Sequence, residues 1–137
     1  MPANKALHHK RTRVVYTTGI LRRNPRTKYA LVDCVNLGKH SRRVTVQVLD
    51  WSSGSPVPLK VSPCRTTRCT VTVGPRQSVF LFADVSKVAF KYEVRITQSA
   101  DRTLVTNVYG VTKTTFKPLE GGTVLQRDLV KLRTFQV

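Results

Sequence analysis

Arg43–Trp51 reads RVTVQVLDW. In an extended chain Val44, Val46 and Val48 fall on one side and Thr45, Gln47 and Leu49 on the other, the two-residue period of a half-buried strand. Phe90–Thr97 (FKYEVRIT) repeats the pattern. There Phe90, Tyr92, Val94 and Ile96 are expected to face a core, and Lys91, Glu93 and Arg95 to face solvent. These two stretches set the fold class as all-β. Composition agrees, because 21 Val and 17 Thr stand among 137 residues. Both types are branched at Cβ, which suits a pleated surface better than a helix.

Outward from these stretches, further strands are separated by turn chemistry. Arg13–Ile20 is a first strand, closed by the RRNPRT turn, and Tyr29–Leu37 is a second whose apolar run implies burial on both faces. Pro56 and Pro58 place Val57–Val61 at an edge, since proline gives no ladder donor. Cys69–Val73 and Val79–Ala83 follow. Arg102–Thr112 is expected to form a hairpin with Phe90–Thr97 through residues 98–101. Residues 123–135 are open to a short helix carrying Leu125, Leu129 and Leu132 or to a final strand, and the strand suits an otherwise β chain better. The sum is a single antiparallel β-sandwich, jelly-roll or immunoglobulin-like Greek key, over residues 29–137, preceded by a basic N-terminal arm over residues 1–28.

Charge is the other strong signal. The chain has 24 Lys and Arg against seven Asp and Glu, a formal net charge of +17. Residues 1–28 hold eight bases and no acid. Such density repels itself and is relieved beside a polyanion. Arg11, Arg13, Arg22, Arg23, Arg26 and Lys28 are therefore candidate polyanion contacts. Val14, Val15, Tyr16, Ile20 and Leu21 are apolar enough to pair with a sheet edge, most readily on a neighbouring subunit, which makes them candidate subunit connectors. Tyr16 and Tyr29 lie among arginines, where tyrosine can stack on bases. Trp51 either fills the mouth of the core or anchors an interface.

Catalytic and metal chemistry find little purchase. The histidines are His8 and His9 in the arm and His40 in a turn, and the acids are scattered singly. No nucleophile and base stand at a catalytic spacing, and no glycine-rich phosphate loop is present. The expectation is no enzyme, no cofactor and no metal. Cys64 and Cys69 are either free thiols or a disulfide closing a small loop, while Cys34 has no partner left. No stretch approaches a membrane span or a signal h-region. The protein is expected to be made in the cytoplasm without a signal peptide.

Four segments, RRVTVQVLDWSSGSPV, TVTVGPRQSVFLFADVS, FKYEVRIT and TLVTNVYGVT, together resemble small uncharacterised β-sandwich proteins of spore-forming Firmicutes. A looser likeness is to the jelly-roll subunits of endospore appendages, which lock together through N-terminal arms and cysteines. The likeness implies a sandwich fold and a place on the spore or cell surface, but no activity. This chain has no cysteine in its arm. Two functions follow. The first is a structural subunit that assembles with itself into a fibre, appendage or coat through its arm. The alternative is a basic binding module for nucleic acid or another anionic polymer.

Overall fold

The computed structural model describes residues 12–136. It is a β-sandwich of two antiparallel sheets, with no α-helix among the described residues. The strands are β1 Thr12–Thr17, β2 Leu21–Arg22, β3 Tyr29–Asn36, β4 Arg42–Asp50, β5 Val57–Leu59, β6 Cys69–Val73, β7 Ser78–Asp84, β8 Lys91–Ser99, β9 Leu104–Val111 and β10 Val130–Gln136. The large sheet runs β10-β1-β8-β4-β5, with β2 also on β8 and β6 also on β4. The small sheet runs β7-β3-β9.

The core lies between them. From the large sheet come Val44, Val46 and Val48 of β4 and Tyr92, Val94 and Ile96 of β8; from the small sheet come Ala30, Val32, Cys34, Leu81, Ala83 and Val108. Burial pushes the Tyr92 phenol up to about 12. Gln98 is buried too, but its amide donates to Leu104 O at 3.1 Å and accepts from Thr106 Oγ1 at 2.6 Å, so no polar atom is orphaned there.

Three expectations are corrected. The β8–β9 hairpin does not form: β8 is flanked by β1 and β4, while β9 pairs with β3 in the other sheet. Residues 100–103 instead carry the chain from one sheet to the other. Asp101 shapes that crossing by accepting from Thr103 N at 2.9 Å and from Arg42 Nη2 at 2.8 Å. Phe90 is not in the core. It precedes β8 and is 59% exposed. Tyr29–Asn36 is not buried on both faces throughout, since Asp33 faces solvent.

Residues 12–22 belong to the sandwich and not to a separate arm. Val14 and Tyr16 pair with Gln98 and Ile96 on the core side of β8. Both edges of β1 are used inside the chain, by β8 and by β10. Val14, Val15 and Tyr16, expected as subunit connectors, thus have both backbone edges paired within the chain. Leu21 packs against the core, and Ile20 is exposed. The C-terminal segment is a strand, β10, preceded by one 3₁₀ turn at Gln126–Asp128.

The free edge of β9 is closed by residues 118–124, with Gly110 N donating to Gly122 O at 2.8 Å. A Cβ on Gly122 would stand 2.9 Å from the Gly110 backbone, so the two chains meet this closely only through glycine. Cys64 and Cys69 form a disulfide, and Cys34 is a buried free thiol. No helix among the described residues is long and apolar enough to cross a membrane.

Candidate functional site

Residues directly opposite in a ladder share a face, so register maps the outer surface of the large sheet. Val14, Gln98 and Val44 align across β1, β8 and β4 on the core side. The next position outward on each strand therefore puts Arg13, Ser99 and Arg43 in one row on the outer face, with Phe135 beyond Arg13 and Thr72 beyond Arg43. The following row is Arg133, Val15, Thr97, Thr45 and Thr70. Then come Thr17, Arg95 and Gln47. Arg68 reaches the same surface, donating from Nη1 to Gln47 Oε1 at 3.2 Å. At the far end β2 sets Arg22 beside Lys91. Strands lie about 4.8 Å apart, so Arg13 and Arg43 flank β8 with backbones roughly 10 Å apart.

This face has a buried floor although no sheet covers it. Thr17, Thr45 and Thr97 are each 6% exposed. Long arginine stems beside small residues shelter such a floor while their charges stay in water. At its upper end Arg13, His40, Arg42, Arg43 and Thr72 line a depression of about 510 Å³. Arg42 is neutralised there by Asp101, which leaves Arg13 and Arg43 as its cations without an acid among the described residues.

Among the described residues the one acid on this face is Glu93, 5% exposed. It accepts from Thr17 Oγ1 of β1, from Arg95 Nε at 2.9 Å and from Trp51 Nε1 at 2.9 Å. Burial pushes its carboxyl up, but these donors more than offset that and hold it below the usual range. The cluster ties β1, β8 and the segment after β4 together. It also fixes Trp51 on the outer face, with Ile20 and Gly54 around a shallow notch of about 390 Å³. Trp51 thus lies at a surface and does not plug the core.

The residues expected to meet a polyanion divide. Arg13, Arg22 and Arg26 remain available. Arg23 does not, because its guanidinium donates to the carbonyls of Val88, Asn24, Pro25, Thr27 and Ser86 and so staples the 24–27 turn to the 85–88 turn. Lys28 pairs with Asp84 at 2.6 Å. That bond, opposed by burial, keeps the ammonium raised. Arg11, His8 and His9 lie outside the described residues. Tyr16 packs against the core, and Tyr29 packs edge-on against Phe82 and Phe116, so neither offers a free ring to a base. Among the described residues no three metal-ligating side chains gather.

The outer face of the small sheet is different in kind. Tyr29, Leu31 and Asp33 alternate outward on β3, with Phe82 opposite Leu31 and Phe80 opposite Asp33 on β7, and Tyr109 and Asn107 on β9. Phe116 folds over them, its ring centroid 5.4–5.9 Å from those of Tyr29, Phe80 and Phe82.

Sequence reasoning missed Arg43, Arg68, Lys91, Arg95 and Arg133 as members of one basic face. Alternation marks Arg43 and Arg95 as outward, but only strand order brings them beside Arg13 and Arg133.

No protein-family model and no curated protein matches this chain. Among solved structures it is similar to the crystal structure of Thermotoga maritima 1070, at 14% identity and a TM-score of 0.43, over 87% of this chain and 97% of that one.

Proposed function

We propose that this protein is a non-enzymatic binding module for an anionic polymer, nucleic acid in the first instance, and that it uses the outer face of the large sheet. The observation that carries this is the row structure of that face: Arg13, Arg22, Arg43, Arg68 and Arg133 project from it, while its only acid among the described residues is buried and already bonded to Arg95. Phosphate contacts of this kind position a polymer without reading its sequence. Trp51 beside the notch offers a ring on which a base can stack. Five phosphate contacts would give a salt slope of about −4 to −5 on duplex DNA. Fluorescence anisotropy with two unrelated 20-bp duplexes between 50 and 300 mM NaCl tests this. Equal affinities and that slope support the module. No binding at 50 mM, or marked preference for one duplex, overturns it.

A second function has one observation in its favour. β10 is an edge strand whose outer side carries no partner among the described residues, and Val130 and Leu132 are 58% and 49% exposed on it. A self-assembling subunit of a fibre, appendage or coat at a spore or cell surface would use such an edge. The resemblance to proteins of spore-formers belongs with this alternative. Lys131 and Arg133 oppose pairing of like edges, so assembly should strengthen as salt rises to moderate ionic strength. Polyanion binding has the opposite sign, and size-exclusion at 20 and 200 mM salt separates the two.

A further inference from the structure

We propose that the pocket on the outer face of the small sheet binds an alkylated ammonium group, with aromatic rings around the cation and the Asp33 carboxylate beside it. The pocket is about 300 Å³ and is lined by Leu31, Asp33, Phe80, Tyr109, Phe116 and Pro118 among others. That is the low end for ligand sites and suits one head group better than an extended molecule.

Its walls are built by the sequence. Alternation on β3 sends Leu31 and Asp33 outward, and register sets Phe80 against Asp33 and Tyr109 against Leu31. Phe116 completes it from the turn after β9. Its φ is 49°, a conformation uncommon for a bulky residue, and the turn holds it through Lys117 N to Thr112 Oγ1 at 3.1 Å and Thr112 N to Lys117 O at 3.0 Å. Phe116 and Phe80 stand at 80° with centroids 5.9 Å apart, two perpendicular walls of an open box.

The chemistry of the occupant follows from what the box contains. Phe80 is 49% exposed, so an aromatic surface faces solvent here. Asp33 has no cation within 4 Å among the described residues, in a chain of net charge +17. Partial burial already pushes its carboxyl up. A neutral apolar ligand would deepen that desolvation without compensating it, and an anion would face the carboxylate. A small hydrated metal ion would gain nothing from the rings. An alkylated ammonium satisfies both features, since its positive apolar surface is attracted to ring faces and its charge to the carboxylate. The group can arrive as a free small molecule or on a methylated lysine side chain.

Titration of ¹⁵N-labelled protein with tetramethylammonium chloride tests the site, with sodium chloride and tert-butanol as charge-only and shape-only controls. Saturable shifts of amides near Asp33, Phe80, Tyr109 and Phe116 are expected, with a Kd on the order of millimolar. Asp33→Asn and Phe116→Leu should each weaken it about tenfold, and neither control should saturate. A short trimethyl-lysine peptide distinguishes the sources: tighter binding than tetramethylammonium assigns a protein side chain, and weaker binding a free ligand. Absence of saturation at 100 mM, equal binding of tert-butanol, or an unaffected Asp33→Asn variant overturns the proposal. The site lies on the other sheet from the polyanion face, so either can fail alone.

Discussion

Two outward carboxylates, Glu93 on the large sheet and Asp33 on the small one, are treated in opposite ways. Glu93 on the large sheet is buried and held by Arg95, Thr17 and Trp51, and its pKa is lowered. Asp33 on the small sheet has aromatic neighbours and no cation among the described residues, and its pKa is raised. The difference shows where the charge of this chain is spent. On the large sheet the acid is absorbed into the scaffold, so among the described residues the charges left free at that surface are all positive. On the small sheet Asp33 is left available beside aromatic rings.

The largest effect should come from breaking the first arrangement. Glu93→Ala removes the buried carboxylate to which Thr17, Arg95 and Trp51 all donate, and losing three such hydrogen bonds costs about 3 kcal/mol. For a domain of this size that lowers Tm by roughly 10 °C, readable by calorimetry. Asp33→Asn removes a carboxylate that gains nothing from folding and should change Tm by less than about 2 °C at pH 7.

A smaller effect, and a sharper one, is the pH dependence. The folded-state pKa of Glu93 lies below its unfolded value, so its contribution is present above about pH 4.3 and is lost as pH falls through the folded value. Asp84 and Asp101, the latter at about 2, act in the same direction. Asp33 runs the other way: its folded pKa is raised, so its contribution is present at low pH and is lost as pH rises through that folded value. Thermal midpoints between pH 7 and 3 should therefore fall less steeply for Glu93→Gln than for the parent, and slightly more steeply for Asp33→Asn. Parallel curves would mean that the two carboxylates do not differ in the way described.

Strands were legible where one face met the core. β4 and β6 follow directly from the alternation of Val44–Val48 and Cys69–Val73, and β7 from the apolar run Val79–Ala83. Partnership was not legible. Phe90–Thr97 and Arg102–Thr112 look like a hairpin because neighbours in sequence usually pair. Here β1 takes the edge of β8 that β9 would need, a competition between segments some 80 residues apart. The same displacement hid the function of residues 12–17. Val14 and Tyr16 were visibly apolar, but whether they met an edge of their own chain or another depends on that competition. Glu93 read as a solvent residue for a related reason: its burial comes from Trp51 and Thr17, which no local pattern places beside it.

The most direct test of the basic face is the salt slope of DNA binding in three proteins: the parent, R13S/R43S/R133S, and Phe80→Ser as a change confined to the small sheet. Each phosphate contact contributes about 0.9 to the slope, so the triple variant should flatten it by roughly 2.7 units while Phe80→Ser leaves it unchanged. An unaltered slope in the triple variant, or an equal loss in Phe80→Ser, would contradict the assignment of polyanion binding to the large sheet.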